Sequence, residues 1–480
     1  MPLHLYNTRS RALELFTSRE PGQVRMYHCG PTVYRRPHVG NYRAFLFADL
    51  LRRVLERRGF VVTQVMNITD VGHFTQEDED RGEDRMEMEA KLRGLDPWNV
   101  AREITEIFEK DMNRLRAKNP SVRPKAADHI PEMLEMIDVL IQKGYAYRSG
   151  VDGQNVYFSV HNFPGYGDLS GNKVDALEAG ARIDINPEKK HPADFALWKS
   201  DPKHLMKWKS QFGEHGFPGW HIECSAMARK YLGDTLDIHT GGEDLIFPHH
   251  ECEIAQSEAA NGHRFVNYWM HVKFLQVDGG KMSKSLGNVY SIDDVAARDF
   301  EPRHLRFLLL RAHYRTPLNF TWDSMRDAKS AIDRIDSFVI DIKTLRAGIV
   351  DTPGIETLIE RARAKFDAAL DDDINAAEAT AAIFDFVSNI RAAAGSPMKL
   401  SKNQVEAILS FLAEFDSVFD ILTPEEFSPE ERVEIEKLVA ERTAARLAKD
   451  FSSADLIRGR LLAKRVVVED SKESSRWRRV

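Results

Sequence analysis

The sequence is poor in cysteine and has no long hydrophobic run, and both absences restrict what the protein can be. Only three of its 480 residues are cysteine, Cys29, Cys224 and Cys252, and they lie far apart or unpaired in the chain. This usage argues against a disulfide framework and favours a reducing compartment, where thiols more often bind metals or act in catalysis. No run approaches the roughly 20 apolar residues of a transmembrane helix, and residues 1–6 lack the basic and apolar regions of a secretion signal. We therefore expect a cytoplasmic protein without a membrane segment.

Two common catalytic motifs are also absent. No GxxxxGK[ST] sequence occurs, so any phosphate binding is not of the Walker type. HExxH is missing too, because His250-Glu251 is followed by Ile254 at the position that needs histidine, and this argues against a zincin-type hydrolase. The net charge of -7 does not suggest nucleic acid, yet residues 455–480 carry eight basic and four acidic side chains. That tail can meet a phosphate backbone, although composition alone favours a solvated helix and terminus.

At 480 residues the chain is too long for one ordinary hydrophobic core, and the residue pattern changes along it in a way that indicates several parts. Residues 25–29, a helix beginning near Gly40, and residues 60–67 read as the first half of a parallel βαβ unit. Between about 120 and 205, short strand-like pieces alternate with Gly- and Pro-rich loops, which indicates an insertion into the sheet. The remainder is mostly helical and suggests a bundle. We therefore predict an α/β fold followed by a helical C-terminal part.

The loop after the first strand is the first candidate site, because ligands bind at the carboxyl ends of strands in parallel sheets. His38 and Asn41 lie where the next helix begins, and free backbone N–H groups there suit a phosphate. Cys29 lies at the strand tip, and Thr69, at the tip of the second strand, should face the same pocket. The plainer alternative is that His38 and Thr69 cap local structure and Cys29 is an ordinary buried thiol, since HxGN alone is a weak motif.

A second candidate site combines two thiols, an imidazole and a carboxylate. The residues that offer them are Cys29, Cys224, His249 and Glu253. His249 and Glu253 are four residues apart and share a helix face. The long spacings differ from those of a zinc finger, and buried cysteines and capping histidines are common. Cys252, three residues after His249, is the competing thiol.

Two further segments could contact nucleotides or RNA. A glycine-flanked basic loop carries Lys281 and Lys284, which can reach phosphate oxygens as point charges; the alternative is an ordinary surface loop. Near the end of the sequence, Trp477 stands between Arg476 and Arg478. Such a ring can stack on an unpaired base, and the alternative is that it packs against its own domain.

Taken together, these segments resemble the class I aminoacyl-tRNA synthetase family and, within it, cysteinyl-tRNA synthetase. Residues 38–41, HVGN, are similar to the HIGH motif, and residues 281–285 are identical to the KMSKS motif. CGPTVY at 29–34, GWHIECSAM at 219–227 and FPHHE at 247–251 resemble segments of cysteinyl-tRNA synthetase, as does the closing RWRR. The resemblance covers essentially the whole chain.

The resemblance implies a particular division into domains. Residues 1–300 would form a Rossmann-like parallel-sheet catalytic domain that carries the insertion at about 120–205. Residues 301–330 would form a stem-contact region, residues 331–425 a helical bundle that binds tRNA, and residues 426–480 a small anticodon-binding region.

The resemblance also implies a role for each site residue. The implied zinc ligands, which leave out Cys252, are Cys29, Cys224, His249 and Glu253. The implied cysteine pocket contains Thr69, Trp220, His239 and Asp244. The implied ATP-binding residues are Pro31, Thr32, His38, Gly40, Asn41, Lys281, Ser283 and Lys284. Those implied in catalysis are His38, Asn41, Lys281 and Lys284. The implied tRNA contacts are Arg476, Trp477 and Arg478.

The implied reaction is the ATP-dependent ligation of cysteine to tRNA(Cys) through cysteinyl-adenylate. Mg would accompany ATP, and one zinc ion per chain would select the cysteine thiolate over the hydroxyl of serine. We expect cysteine, ATP and tRNA(Cys) as partners, no membrane, and a monomer. Asn41 replaces the last histidine of HIGH and keeps a donor. Residues 71–75, VGHFT, replace a lysine-containing segment of many members, so a pyridoxal phosphate-dependent persulfide activity loses support.

Two other functions remain open at this point. The cysteine ligase of mycothiol synthesis shares the catalytic domain and zinc site but lacks the long C-terminal part, whereas this chain continues for nearly 200 residues after Ser285. A non-catalytic, tRNA-binding zinc protein with the same fold is disfavoured because His38, Lys281 and Lys284 are all present.

Overall fold

The computed structural model describes residues 2–76, 81–172, 186–280, 282, 287–422, 429–463, 466–470 and 475–479. The chain divides into two compact units, each described here by itself. The first consists of Met1–Lys329, Glu360–Asp385 and Glu414–Asp420. The second consists of Ser330–Ile359, Phe386–Ala413 and Ile421–Val480.

Strands lie mainly in the first unit, and a hairpin closes the second. The strands are β1 (His4–Asn7), β2 (Ala12–Leu15), β3 (Gln23–His28), β4 (Val61–Met66), β5 (Phe74–Gln76), β6 (Arg81–Asp84), β7 (Ala146–Ser149), β8 (Asn155–Phe158), β9 (Phe195–Ser200), β10 (Trp208–Ser210), β11 (Gly213–Pro218), β12 (Leu236–Gly242), β13 (Val266–Val272), β14 (Leu275–Val277), β15 (Leu318–Phe320), β16 (Val466–Asp470) and β17 (Ser475–Arg479).

Helices alternate with the strands of the first unit and dominate the C-terminal part. The helices are α1 (Val39–Arg57), α2 (Arg85–Arg93), α3 (Pro97–Arg114), α4 (Ile130–Gln142), α5 (Trp220–Leu232), α6 (Glu251–Asn261), α7 (Ile292–Ala296), α8 (Pro302–Leu310), α9 (Trp322–Thr344), α10 (Ile355–Asp371), α11 (Ala376–Ala394), α12 (Lys402–Phe419), α13 (Pro429–Leu447) and α14 (Phe451–Ala463).

A four-stranded parallel sheet, counted over the described residues, organises the first unit. Its strand order is β13-β12-β3-β4, and β3 pairs with β4 from Gln23 opposite Val61 to His28 opposite Met66. The α1 helix covers this sheet because its apolar residues recur every three or four positions, and Gly59, at φ +86°, follows the end of the helix. The predicted βαβ unit is therefore confirmed, and the carboxyl ends of β3, β4 and β12 meet at one edge.

The insertion is a second, antiparallel sheet with the order β10-β11-β9-β8-β7. Its apolar face, which includes the fully buried Phe158 and Trp198, joins the core of the parallel sheet. The sheet continues to Pro218, past the boundary expected near residue 205. The sequence pattern did not indicate the β10–β11 hairpin, because this hairpin is rich in polar residues and glycine and lacks an apolar alternation. Residues 173–185, inside the insertion, are not among the described residues.

The second unit is helical apart from its final hairpin. Phe386 packs against Phe338 and Phe411, with ring centroids 6.2 and 4.9 Å apart. In the tail, α13, α14 and the β16–β17 hairpin enclose a small apolar cluster of their own. Together with the parallel sheet, these helices confirm the predicted α/β fold with a helical C-terminal part. None of the described helices is both long and apolar enough to cross a membrane.

Candidate active site

Four potential metal ligands meet inside the first unit. They are Cys29 after β3, Cys224 in α5, His249 before α6 and Glu253 in α6, and one ligand atom of each lies within 4.8 Å of all the others. The sulfur atoms of Cys29 and Cys224 are 3.9 Å apart, and His249 Nε2 is 3.0 Å from Glu253 Oε1. All four side chains are buried. The structure thus brings together the whole set that the sequence suggested for zinc.

The electrostatics of this cluster favour positive charge at its centre. Burial alone would lower the pKa of His249, but its contacts with Cys224 and Glu253 raise that pKa to about 10. Burial alone would raise the pKa of Glu253, but His239 and His249 lower it to about 2. Within the described part of the chain, His249 Nε2 forms no regular hydrogen bond although it is buried. A divalent cation would supply positive charge beside Glu253 and a regular partner for His249 Nε2.

Further histidines orient the ligands from behind. His221 Nδ1 lies 2.8 Å from His249 Nδ1, and burial together with the charge of His249 lowers the pKa of His221 well below its usual value. A neutral His221 accepts the proton of His249 Nδ1, which directs His249 Nε2 into the cluster. On the other side, His239 Nε2 lies 3.0 Å from Glu253 Oε2. The carboxylate is therefore held through the oxygen that faces away from His249.

A second set of ligands overlaps the first. Its members are Cys29, His239, His250 and Glu253. His250 Nε2 is 3.3 Å from Cys29 Sγ, but this set has one thiol where the first has two, and zinc binds thiolates well. Cys252 belongs to neither set among the described residues, because its sulfur lies 3.5 Å from the hydroxyl of Tyr166.

The loop before α1 presents His38 and Asn41 at the helix N-terminus. His38 is the N-cap residue, and its backbone N–H donates a hydrogen bond to Asn41 Oδ1 at 3.0 Å. Because Oδ1 is used in this way, the amide nitrogen of the exposed Asn41 is the group that can donate outward. The replacement of the last HIGH histidine therefore keeps a donor at this helix end.

Ion pairs and a backbone contact hold this loop in place. Arg36 donates to both oxygens of Asp111 at 2.9–3.1 Å, and the Asp111 side chain is only 1% exposed. Arg36 also pairs with Asp293 in α7. The backbone N–H of Val39 donates to the carbonyl of Tyr290 at 2.9 Å. These contacts connect the HVGN loop to the segment that follows the KMSKS residues.

Most of the KMSKS segment lies outside the described residues. Lys281, Ser283 and Lys284, predicted for ATP and catalysis, lie outside the described residues. Met282 is described, and its terminal carbon lies 3.1 Å from the position that a Cβ on Gly40 would take. This part of the segment therefore passes directly over the start of α1, where the absence of a side chain on Gly40 leaves room.

Backbone hydrogen bonds join Thr69 to the loop after β3, which was predicted to bind ATP. The N–H of Val33 donates to the carbonyl of Thr69, and the N–H of Thr69 donates to the carbonyl of Pro31, both at 3.1 Å. A pocket beside this bridge is lined by Thr32, Tyr34, Val71, His73, Arg85, Met86 and Trp220. Residues predicted for ATP and residues predicted for cysteine therefore adjoin each other.

The other residues predicted for the cysteine pocket differ in position. The ring of Trp220 lies 4.4 Å from that of His249 and covers this ligand. His239 is fully buried behind Glu253 and stacks on Trp269 at 4.6 Å. Asp244 is exposed in the turn after β12. The structure groups Trp220 with the cluster, places His239 behind it, and leaves Asp244 at the surface.

The sequence analysis missed two polar residues beside the cluster, Glu223 and His73. Thr69 Oγ1 donates to Glu223 Oε2 at 2.8 Å, and His73 Nε2 lies 2.6 Å from Glu223 Oε1. Glu223 is fully buried, and burial followed by the charge of Asp70 raises its pKa well above the usual range. A signal was available, because an acidic residue directly before Cys224 on a buried helix requires a partner.

The tail places Trp477 within its own small core. In β17, Trp477 is paired with Val468 of β16 and packs, partly buried, against the apolar cluster of the tail. This is the arrangement that the alternative interpretation expected, so its contact with tRNA stays a prediction. The side chains of Arg476 and Arg478 are outside the described part of the structure.

Known families match almost the whole sequence. The family described as tRNA synthetases class I (C) catalytic domain matches residues 15–330. A DALR domain matches residues 365–423, and a cysteinyl-tRNA ligase anticodon binding domain matches residues 428–478.

Individual relatives agree with these matches. The chain is 44% identical over 491 residues to a cysteine–tRNA ligase of Thermus thermophilus, covering 100% of this chain and 99% of the relative. It is 42% identical over 481 residues to that of Solibacter usitatus, covering 100% of both. A structure of Mycobacterium tuberculosis methionyl-tRNA synthetase in complex with methionyl-adenylate has a TM-score of 0.58 at 14% identity, over 83% of this chain and 90% of that one, which supports the fold alone. The chain belongs to the cysteine–tRNA ligase family of class I aminoacyl-tRNA synthetases.

Proposed function

We propose that the chain activates cysteine with ATP and transfers the cysteinyl group to the 3′ end of tRNA(Cys). The observation that carries this proposal is the buried cluster of Cys29, Cys224, His249 and Glu253, which lies at the same sheet edge as the HVGN helix end. The cluster offers a means of recognising a thiol, and the helix end offers a place for phosphates. The matched anticodon binding domain supports tRNA as the acceptor.

The residues of the cluster fit zinc. Two sulfur atoms, an imidazole nitrogen and a carboxylate oxygen are the ligand types that Zn²⁺ accepts in proteins. Cys29, Cys224, His249 and Glu253 would hold the ion, with His221 and His239 behind it as orienting partners. When bound, zinc would offer a ligand position that binds the substrate thiolate and disfavours the hydroxyl of serine. A pocket that relies on size alone cannot separate these two side chains strongly.

The ATP site in this proposal is the start of α1 and the KMSKS segment. His38 and Asn41 would donate to phosphate oxygens, and Lys281 and Lys284 would stabilise the charge that develops on the departing pyrophosphate, with Mg bound to ATP. The residues that would complete this site are Pro31, Thr32, Gly40 and Ser283. The contact between Met282 and Gly40 supports the proximity of the two motifs.

The proposed chemistry has two steps. The carboxylate of cysteine attacks the α-phosphate of ATP, and cysteinyl-adenylate and pyrophosphate form. The terminal adenosine of the tRNA, initially through its 2′-OH, then takes the cysteinyl group and releases AMP. Thr69, Trp220, His239 and Asp244 would position the amino acid, and positioning with charge stabilisation supplies most of the rate.

Recognition of the tRNA is assigned to the C-terminal part. Residues 301–330 would contact the stem, residues 331–425 would form the tRNA-binding bundle, and residues 426–480 would bind the anticodon. Within the last region, Arg476, Trp477 and Arg478 would be the contacts. A monomer in the reducing cytoplasm is the expected setting, in keeping with three buried cysteines that form no disulfide.

The test is the ATP-dependent transfer of labelled cysteine onto total tRNA, measured as base-labile and RNase-sensitive counts. We expect transfer with cysteine and much less with serine. Cysteine-dependent pyrophosphate exchange without transfer would keep the first step and point to another acceptor. The absence of both activities would contradict the proposal.

A further inference from the structure

A buried arginine in the first turns of α1 has no role in the proposal above. Arg43 is 2% exposed, and its Nη1 donates to the carbonyls of Lys273 and Phe274 at 2.6 and 3.0 Å. Its Nη2 donates to the carbonyls of His313 and Thr316 at 3.2 and 2.6 Å. Within the described residues, this guanidinium therefore holds four backbone carbonyls that belong to two separate segments of the chain.

Both segments lead into the small parallel sheet of β14 and β15, in which Leu275 is paired with Leu318. Lys273 and Phe274 are the two residues between β13 and β14, and His313 comes shortly before β15. After β14 the chain continues directly into the KMSKS residues at 281–285. Arg43 thus connects the helix that begins at the HVGN residues to the base of the strand pair from which the KMSKS segment departs.

Glu243 holds the same place from the opposite side. Its Oε1 accepts the backbone N–H of Phe274 at 2.7 Å, and its Oε2 lies 2.5 Å from Lys273 Nζ. The N–H of Phe274 and the carbonyl of Lys273 belong to one peptide group, which we call the base peptide. Glu243 lies in the turn directly after β12. The base peptide is therefore fixed at its oxygen by α1 and at its nitrogen by the turn after β12.

The segment that follows β14 also rests on the start of α1. The terminal carbon of Met282 lies 3.1 Å from the position that a Cβ on Gly40 would take. Further along, the carbonyl of Tyr290 accepts the backbone N–H of Val39 at 2.9 Å. The described residues on both sides of the KMSKS positions thus contact the same end of one helix. A displacement of the base peptide would shift this segment relative to that helix end.

We propose that Arg43 and Glu243 are positioning residues for the activation of cysteine, because they fix the base peptide and thereby align the KMSKS segment with the start of α1. The inference rests on the proposed function. There the KMSKS lysines stabilise charge that develops only as pyrophosphate departs, whereas His38 and Asn41 on α1 would contact ATP throughout. A misplacement of about 1 Å can cost about a hundredfold in rate. Loosening the base peptide should therefore lower kcat more than it raises the KM for ATP.

Arg43→Lys tests the connection from α1. The variant keeps the positive charge, but one ammonium group cannot span the four carbonyls that the planar guanidinium reaches. In cysteine-dependent pyrophosphate exchange by the full-length, zinc-loaded protein, we expect kcat to fall about ten- to a hundredfold. The KM values for ATP and cysteine should stay within about threefold of the wild type. The zinc content should not change.

Arg306→Lys is the matched control. Arg306 is also fully buried, and it donates to the carbonyls of Phe419 and Leu115 and to Asp49 of α1. This change should destabilise the protein, but it leaves the base peptide held, so kcat should stay within about twofold of the wild type.

Substitutions of Glu243 test the other side of the base peptide in a residue that is only partly buried. Glu243→Ala removes the acceptor of the Phe274 N–H and should lower kcat about three- to tenfold. Glu243→Gln keeps an acceptor and should restore most of that loss. Glu258→Ala is the control, because Glu258 is similarly exposed, 13% against 15%, pairs with Arg9 and accepts the backbone N–H of Phe265. It should leave kcat unchanged.

Amide hydrogen–deuterium exchange measures the base peptide without reference to activity. Arg43→Lys and Glu243→Ala should each accelerate exchange at residues 273–278 about tenfold or more, and leave β12 at the wild-type rate. Arg306→Lys and Glu258→Ala should not accelerate exchange at residues 273–278. If Arg43→Lys does not fold, Glu243→Ala and Glu243→Gln carry the test.

Two results would overturn the inference. Equal losses of kcat in Arg43→Lys and Arg306→Lys, or a loss of zinc in Arg43→Lys, would make Arg43 a general support of the fold. A lower kcat with unchanged deuterium exchange at residues 273–278 would show that Arg43 does not act through the base peptide. A wild-type protein without pyrophosphate exchange would instead contradict the proposed function, and deuterium exchange would still decide whether Arg43 and Glu243 hold the base peptide.

Discussion

Replacement of Cys224 by serine is the most direct perturbation of the buried cluster. The serine hydroxyl is not ionised at neutral pH, and it offers zinc a far poorer ligand than a thiolate. Changes to residues behind metal ligands already cost about ten- to a hundredfold in metal affinity. We therefore expect Cys224→Ser, which removes a proposed direct ligand 3.9 Å from Cys29 Sγ, to lose at least about a hundredfold in zinc affinity. The purified variant should hold well below one zinc ion per chain and lose its preference for cysteine over serine.

Cys252→Ser is the matched control. Cys252 is also fully buried and lies only one residue before the proposed ligand Glu253, but its sulfur lies 3.5 Å from the Tyr166 hydroxyl. A serine hydroxyl can hydrogen-bond there, so we expect a destabilisation of only about 1 kcal/mol and full zinc content. The assay is zinc per chain after dialysis, with circular dichroism as the check on folding.

The zinc contents of Cys224→Ser and Cys252→Ser together test the ligand assignment. Full zinc content in Cys224→Ser with loss of zinc in Cys252→Ser would refute the ligand assignment. Full zinc content in both would also contradict it, and would point to the overlapping set that uses His250. In that case His250→Asn should lose the ion.

Three further perturbations, at Gly30, Asp49 and His304, follow from local geometry and burial, and Gly459 serves as the control for Gly30. Gly30→Ala would place a methyl group 1.6 Å from a backbone carbonyl oxygen next to the cluster, and we expect a loss of about 3 kcal/mol or more, and of zinc, measured by unfolding and metal analysis. Gly459→Ala, with nothing within 4 Å, should be neutral or stabilise by up to about 1 kcal/mol. Asp49→Ala leaves the fully buried guanidinium of Arg306 without the carboxylate that lies 2.6 Å away, and should cost about 3–5 kcal/mol in chemical unfolding. Burial, followed by the charge of the adjacent arginine, lowers the pKa of His304 from 6.5 to about 4. Unfolding then takes up a proton, so between pH 6.5 and 5 the wild type should lose about 1.5 kcal/mol more stability than His304→Asn.

Each of these expectations has a contradicting outcome. Wild-type zinc content in Gly30→Ala would show that the loop after β3 can accommodate the added methyl group, which would contradict the expected steric clash. For Asp49, the control is Asp323→Ala, which removes an exposed partner of Arg326 and should stay within about 0.5 kcal/mol of the wild type. Equal losses from both aspartates would refute the effect of burial. Parallel pH profiles for the wild type and His304→Asn would refute the lowered pKa.

Patterns within single segments predicted the parallel βαβ unit, because strand alternation, helical spacing and helix termination depend on residues that are close together in the chain. The alternating residues before Cys29, the apolar spacing of the next helix and the glycine after it were sufficient for β3, α1 and β4. The sequence analysis ended the insertion at about residue 205, whereas the antiparallel sheet extends to Pro218, because its last hairpin is held by pairing with β9 and not by its own hydrophobic pattern. Strand pairing of that kind depends on neighbours distant in sequence.

For the site, the sequence by itself nominated the ligands through the chemistry of their side chains and through the resemblance. Spacing could not choose between Cys224 and Cys252, since both are buried helix residues near the other ligands. The tertiary structure favours Cys224, because Cys224 lies beside Cys29 whereas Cys252 lies beside Tyr166. Orientation across a helix interface is a property of packing, and packing is absent from a linear pattern.

The sequence alone therefore determined the fold class, the family resemblance and the residues able to bind a metal or phosphate. Only the tertiary structure decided which polar groups act together. Thr69 and Glu223 are 154 residues apart in the chain, yet a 2.8 Å hydrogen bond joins them. The physical reason is that a buried polar atom must find a partner, and folding brings the partner from a distant part of the chain.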